Sequence, residues 1–217
     1  MRMILQVSLI CALLLFAAAA FAGPSFRGYS GLINIPTADS LDTGDYNFAA
    51  FAVQADKGND QTLLAANIGL LPGLEIGAAS EKPEHGDSEL LLNGKYRFQS
   101  EGLIRPELAV GIADLTDELD STPYFVLSKS LRPPLQVLHH EILNPRVHLG
   151  IGGGRLDGAF AGVSAGIGNA ATLMAEHDGT HLNAGVRFSI GPMLQIHAAA
   201  LNDFDDFGLG LSLNRRL

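Results

Sequence analysis

Past residue 43, apolar positions recur every second residue rather than every third and fourth. The clearest stretch is Thr180 to Ile190, where Leu182, Ala184, Val186, Phe188 and Ile190 alternate with His181, Asn183, Gly185, Arg187 and Ser189. Residues 88–98 repeat it, with Leu90, Leu92, Tyr96 and Phe98 opposite Glu89, Asn93, Lys95 and Arg97. Residues 104–112 set Ile104, Leu108, Val110 and Ile112 against Arg105, Glu107 and Gly111, and Phe207 to Leu213 alternates with Gly208, Gly210 and Ser212. Strict alternation predicts strands with one face in an apolar medium. Weaker segments of the same kind cover 44–55, 61–70, 74–80, 122–130, 145–153, 158–167, 170–178 and 193–202. Together they predict roughly twelve strands of about 7–12 residues, near the length a tilted strand needs to cross a bilayer. Turn residues separate them at Pro72-Gly73, Gly168-Asn169, Asp178-Gly179, Gly191-Pro192 and Asn202-Asp203. The one helical expectation is short, Leu135 to Leu143 after Pro133-Pro134.

Two architectures accommodate so many consecutive hairpins. In a soluble sandwich the apolar faces meet in a core; in an outer-membrane barrel they meet lipid and the polar faces line a lumen. The polar face here mixes glycine and alanine with charges of both signs: Glu89, Lys95, Arg97, Arg105, Glu107 and Arg187, joined by Glu75, Arg146, His148 and several asparagines. Small residues among opposite charges suit a crowded, narrow interior. The expected fold is therefore all-β, a transmembrane antiparallel up-and-down barrel of about twelve strands. The alternative is a secreted soluble β-sandwich that binds carbohydrate or a surface partner.

Connection lengths divide the two ends of this barrel. Connections after even-numbered strands are mostly tight, as at 71–73, 99–103, 168–169 and 191–192, with 131–144 a long exception. Those after odd strands are rich in acid, including Asp56, Asp60, Glu84, Asp114, Asp117, Asp120, Asp178 and Asp203. Short periplasmic turns and longer outer loops are the habit of outer-membrane barrels, and this parity puts both ends of the barrel on the periplasmic side. Aromatic residues make only 7% of the chain and tryptophan is absent. Tyr46, Tyr96, Phe98 and Phe188 are expected at one membrane interface, with Tyr124, Phe160 and Phe207 at the other.

Residues 1–22 read as a cleavable signal peptide: Arg2, an apolar run from Ile4 to Phe16, then Ala20-Phe21-Ala22 before Gly23-Pro24. That assigns the product to the bacterial cell outer membrane, with a segment at 23–43 that is a plug or an extra strand, and a barrel domain at 44–217. The single cysteine, Cys11, lies within the signal, so neither disulfides nor cysteine–metal chemistry belongs to the mature chain. The formal net charge of −9 argues against nucleic acid as a partner. Outer-membrane lipid and the barrel-assembly machinery are the partners such a chain requires. The acidic rim could meet surface polysaccharide or lipopolysaccharide through divalent cations.

Gly31-Leu32-Ile33-Asn34-Ile35-Pro36-Thr37-Ala38, with Leu41 and Gly44-Asp45-Tyr46, resembles the opening motif of the YjbH-like family of outer-membrane β-barrels. Leu173-Met174-Ala175-Glu176-His177-Asp178-Gly179, leading into Asn183-Ala184-Gly185-Val186-Arg187-Phe188, resembles a second family stretch, with His177 where the family has an aromatic residue. The resemblance implies an outer-membrane barrel linked with exopolysaccharide production or export. The chain is much shorter than the larger members and ends Asn214-Arg215-Arg216-Leu217 without a terminal aromatic residue.

Catalytic motifs are not found. His139-His140-Glu141 lacks the i,i+4 spacing of two chelating ligands on a helix and is read as a polar connection. Gly150-Ile151-Gly152-Gly153-Gly154 lacks the Lys-Ser/Thr of a phosphate loop and is read as strand-end glycines. Glu176 and Asp178 share one face of a strand and are read as a lumen charge paired with residues such as Arg187 and as a turn aspartate. The expectation is a non-enzymatic barrel with no cofactor and no metal site. Glu89, Lys95, Arg97, Arg105, Glu107, Glu176 and Arg187 serve as structural lumen charges, and the role is structural or related to transport.

Overall fold

The structure, a computed structural model, describes residues 22–56, 58, 60–131, 135–137, 140–168 and 170–215. The predicted signal up to Phe21 and His139 of the His-His-Glu cluster lie outside the described residues. Thirteen strands follow in order: β1 (Tyr46–Gln54), β2 (Gln61–Leu71), β3 (Leu74–Pro83), β4 (Glu89–Gln99), β5 (Glu107–Ala113), β6 (Thr122–Ser130) and β7 (Leu135–Val137). After them come β8 (His140–Gly152), β9 (Gly158–Ile167), β10 (Ala171–His177), β11 (Leu182–Ile190), β12 (Leu194–Leu201) and β13 (Asp206–Arg215). Each pairs antiparallel with its chain neighbour, β1 also pairs with β13, and β6 skips β7 to pair with β8. Twelve strands thus close an up-and-down barrel with no free edge along the ring, and β7 is a short addition to β8.

Alternation decides which face looks where. On β1, β2 and β13, Phe48, Leu64 and Leu211 point out, while Asn47, Ala49 and Phe51 point in and are buried. Leu64 and Ile151 are each 61% exposed and Leu211 53%. Large aliphatic side chains standing so open around a whole barrel need a lipid environment. A sandwich would have turned them into its core, so the soluble alternative is overturned by the closed ring and its apolar exterior.

Three local expectations are corrected. The described residues of Leu135 to Leu143 are strand rather than helix: β7 pairs antiparallel with the start of β8, in the register Leu135↔Leu143 and Val137↔His140. The reason lies in the neighbouring strands. β9 runs far enough to pair with Leu143, whereas β6 ends opposite Arg146, so the first residues of β8 would present an open edge if β7 did not cover it. Next, β5 begins at Glu107 rather than 104, and Arg105 is exposed in the preceding turn. Pro106 has no N–H to give to a ladder, and its carbonyl accepts from Gln99 Nε2 at 2.8 Å. Finally, Tyr124 and Phe160 face inward and are buried, because their parity on β6 and β9 opposes that of the lipid-facing residues; Phe207 does face out.

The two rims differ as the connections suggested. One, the terminal rim, carries the start of β1 and the end of β13. The other, the acidic rim, uses its carboxylates largely on backbone N–H groups: Asp206 accepts from Asp56 and Asp203 from Leu182, both at 3.0 Å. Burial pushes the Asp114 carboxyl up, but donors from Leu119 N, Thr116 Oγ1, Glu118 N and Asp120 N outweigh it and hold the group below the usual carboxylate range. The sign follows: this loop is stabilised above about pH 4, the ordinary value, and loses that stabilisation as pH falls through the lowered one. Amide exchange across 115–121 is expected to be steady from about pH 5 to 8 once corrected for intrinsic rates, and to accelerate only in stronger acid. Unchanged protection at the acid end would show that the Asp114 cap contributes nothing.

A twelve-strand ring is wider than the eight-strand size that wall side chains fill by themselves. Here the extra space holds chain. Residues 22–41 lie inside the barrel, with Ile33, Ile35 and Ala38 at 0% exposure, and the exposed Asp42 and Thr43 lead from its mouth towards β1. Two isolated bridges, Pro24↔Ser30 and Gly31↔Pro36, fold this segment on itself without adding a strand to the sheet. The apolar core is the contact between this plug and the wall: Phe26 packs on Phe51 with ring centroids 4.4 Å apart, and Tyr29 on Tyr124 at 5.9 Å. Wall glycines make the fit. A Cβ on Gly162 would stand 2.7 Å from the Cδ1 atoms of Leu32 and Ile35, and one on Gly208 2.5 Å from the Phe26 ring. Gly150 likewise leaves room for the ring of Phe160.

Candidate functional site

The plugged interior is the place where polar chemistry concentrates. Near the terminal rim, Arg146 of β8 is the hub. Its Nη1 donates to Asp39 of the plug at 2.7 Å, and its Nη2 reaches Glu107 at 3.2 Å and Glu101 at 3.5 Å. Arg97 of β4 pairs with Glu107 at 3.0 Å and with Asp42 of the plug at 3.6 Å. Lys129 holds Glu101 at 3.1 Å and the carbonyl of Gly102 at 2.6 Å. Burial pushes the Glu101 carboxyl up, but the Lys129 ammonium, the Ser130 N–H and hydroxyl, and Arg146 prevail and hold it low. Charges from β4, β5, β6 and β8 thus converge on the stretch of plug that leads to β1.

One step deeper, Glu75 and Lys95 are cross-strand partners on β3 and β4, and the plug stands between them. Ser30 Oγ donates to Glu75 at 2.7 Å and is met by the Lys95 ammonium. Lys95 also donates to the carbonyls of Ser30 at 2.7 Å and Asp39 at 2.8 Å, while Leu41 N donates to Glu75 at 2.9 Å.

On the opposite wall, β10 and β11 grip the plug backbone from both sides. Glu176 accepts the N–H groups of Ile33, Asn34 and Ile35 at 2.9, 2.5 and 3.2 Å, plus Asn183 Nδ2 at 3.3 Å. Asp178 accepts Asn34 Nδ2 at 3.0 Å and also closes its own turn through the N–H of His181. Arg187 Nη2 donates to the carbonyls of Pro24, Gly31 and Leu32, each at 3.2 Å. A carboxylate takes the donors of the arc and a guanidinium takes its acceptors. Both ions are buried, so each must be paired in this way or be strongly unfavourable.

Of the seven charges expected in the lumen, Lys95, Arg97, Glu107, Glu176 and Arg187 take part in these networks. Glu89 is half-buried at the acidic-rim end of β4, opposite Glu81, and Arg105 is exposed in its turn. The expected Glu176–Arg187 ion pair is replaced by two separate contacts, because the plug backbone occupies the space and supplies a partner to each. Sequence reasoning did not single out Ser30, Asp39, Asp42, Ser128 or His197. Strand parity would have marked Ser128 and His197 as inward; nothing local marks the three plug residues.

Three serine–histidine contacts lie in the same interior. His148 Nδ1 is 2.8 Å from Ser128 Oγ and its Nε2 3.1 Å from Ser164 Oγ; His197 Nε2 is 2.8 Å from Ser212 Oγ. Ser128 Oγ also accepts the N–H of Ala38 at 2.9 Å, and the imidazole tautomer sets which of Oγ and Nδ1 donates to the other. Each of these hydroxyls gives a hydrogen-bond partner to an imidazole nitrogen inside the barrel.

No protein-family model matches the chain. No curated protein matches it either. Among solved structures, the KdgM porin is similar with a TM-score of 0.57 and 8% identity, over 78% of this chain and 99% of its own. The NanC porin is similar with a TM-score of 0.51 and 11% identity, over 79% of this chain and 100% of its own. At such identities the likeness is one of fold: the chain is a closed transmembrane β-barrel of twelve antiparallel strands, with the architecture of these two porins.

Proposed function

We propose that the protein is an outer-membrane barrel of the channel-forming type, held shut by its own residues 22–45, and that it performs no catalysis. The observation that carries this reading is the plug: a segment with five residues at zero exposure, bonded to β3, β4, β6, β8, β10 and β11 inside a polar-walled ring. A rigid structural barrel does not need so wide a ring; eight strands can be filled by wall side chains. The terminal rim faces the periplasm in this reading, and the acidic rim faces outward. The cargo class we propose is a saccharide, in keeping with the resemblance to the exopolysaccharide-associated YjbH-like family. Its two stretches meet in space: Gly31–Ala38 supplies the plug arc, while Glu176, Asn183 and Arg187 belong to the wall that holds it.

Planar-bilayer recording tests the closed-channel reading. The intact protein is expected to show little or no conductance. A variant lacking residues 26–38 is expected to conduct steadily, because the removed arc fills the section of the lumen between β10–β11 and β3–β4. Full conductance by the intact protein, or a folded deletion variant that stays silent, would sink it.

A further inference from the structure

The path of the plug shows how such a barrel would open. The segment starts and finishes at the same mouth. Ala22 lies beside Asn47, the second residue of β1, whose Nδ2 reaches its carbonyl at 3.5 Å. At the other end, Gly44 N donates to Gly69 O at 2.8 Å and Gly69 N to Asp45 O at 2.9 Å, which fastens the chain to the end of β2 at the terminal rim. Between these points two lobes reach into the acidic-rim half. Residues 26–29 pack on Phe51, Gly208, Ala79 and Tyr124, and residues 33–35 reach Glu176 and Asp178. Tyr29 Oη donates to Asn34 O at 2.6 Å and ties the lobes together.

From this geometry, and resting on the closed-channel reading above, we infer that the plug is a re-entrant loop that leaves as a unit through the terminal mouth. It turns on Asp42–Gly44 and is latched by Glu176 and Arg187, while the barrel stays closed. Exit through the acidic mouth is barred, since the loop's last residues are held to β2 and run directly into β1. The hinge has the backbone for it: Gly44 sits at φ +88°, a conformation that a side chain resists. The latch is chemically two-sided. Glu176 holds three successive N–H groups and Arg187 three carbonyls, so removing either ion frees one side of the arc at once. Departure also leaves behind its own compensation. Glu75 and Lys95, which Ser30 now separates, face each other across β3 and β4, and Arg97 and Arg146 keep Glu107.

The test uses the full chain in proteoliposomes. Cys11 is the only cysteine, so Ile33→Cys in a Cys11→Ser background gives a single reporter at the latched arc. Leu103→Cys in the terminal-rim turn and Leu115→Cys in the acidic-rim loop, both exposed, fix the orientation of each preparation. A polymer-linked maleimide too bulky to enter the closed barrel should label Ile33→Cys slowly. Adding Glu176→Gln should speed labelling about tenfold, the population shift expected from losing charge-assisted hydrogen bonds. That labelling should occur only from the side that labels Leu103→Cys, with a parallel rise in conductance. If Glu176→Gln fails to give the faster unheated gel mobility of a folded barrel, Asn34→Pro removes one latched N–H from the plug side and leaves the wall intact. Labelling from the acidic side overturns the inference. So does increased conductance with Ile33→Cys still protected, or a folded variant with neither change. Full conductance already present with an intact latch and a protected Ile33→Cys would instead mean that the closed-channel reading has failed.

Discussion

Replacing Arg146 by methionine is expected to lower barrel stability by about 3–5 kcal/mol, the range for removing one member of a buried ionic group. The methionine keeps much of the side-chain volume, so the loss is electrostatic rather than a cavity. Asp39, Glu107 and Glu101 would lose the guanidinium that now lies 2.7, 3.2 and 3.5 Å from them. Glu107 retains Arg97 and Glu101 retains Lys129, whereas Asp39 has no other ion-pair partner among the described residues. The double variant Arg146→Met, Asp39→Asn should therefore recover a good part of the cost, a coupling that urea unfolding in detergent, followed by gel mobility, would measure. A single-variant cost below about 1 kcal/mol would put this cluster with ordinary exposed pairs and deny it a part in seating the plug.

The second large effect concerns the outer face. Leu211 is the sixth residue of β13 and is 53% exposed, so its side chain stands near the middle of the lipid-facing band. Leu211→Arg is expected to cost about 2–4 kcal/mol in a bilayer, the midplane value for a cation on a barrel exterior. The neighbouring Ser212 is buried against His197 Nε2 at 2.8 Å, with longer contacts to Gln195 and Asn214, and Ser212→Ala should cost less, about 1–2 kcal/mol, for these neutral hydrogen bonds. Equal stability of Leu211→Arg and the unaltered protein in lipid vesicles would remove the membrane from the account of this face.

The ring of strands was readable because alternation is local. Each residue on β4, β5 or β11 announces its face through its immediate neighbours, and this placed Lys95, Arg97, Glu107 and Arg187 on the inner wall. The misreadings arose where a local cue met a partner from elsewhere. Arg105 fits the alternating pattern, but Pro106 breaks the ladder before it. Tyr124 and Phe160 were judged by their closeness to a rim, although strand parity sends them inward onto the plug. Leu135 to Leu143 has no strong period of its own, and its conformation is set by an edge of β8 that β6 leaves uncovered.

Sequence alone thus determined the class of the fold, the number of ring strands and the face of most residues along them. Period two and turn chemistry act over a few residues and need no knowledge of the rest of the chain. It also marked 23–43 as a plug or an extra strand. Only the tertiary structure decided which of the two it is and what holds it. The contacts that seat the plug join residues as far apart as Ile33 and Glu176, separated by 143 positions. No local pattern encodes such a pairing, because Glu176 can be matched to three backbone N–H groups only once twelve strands have closed around them.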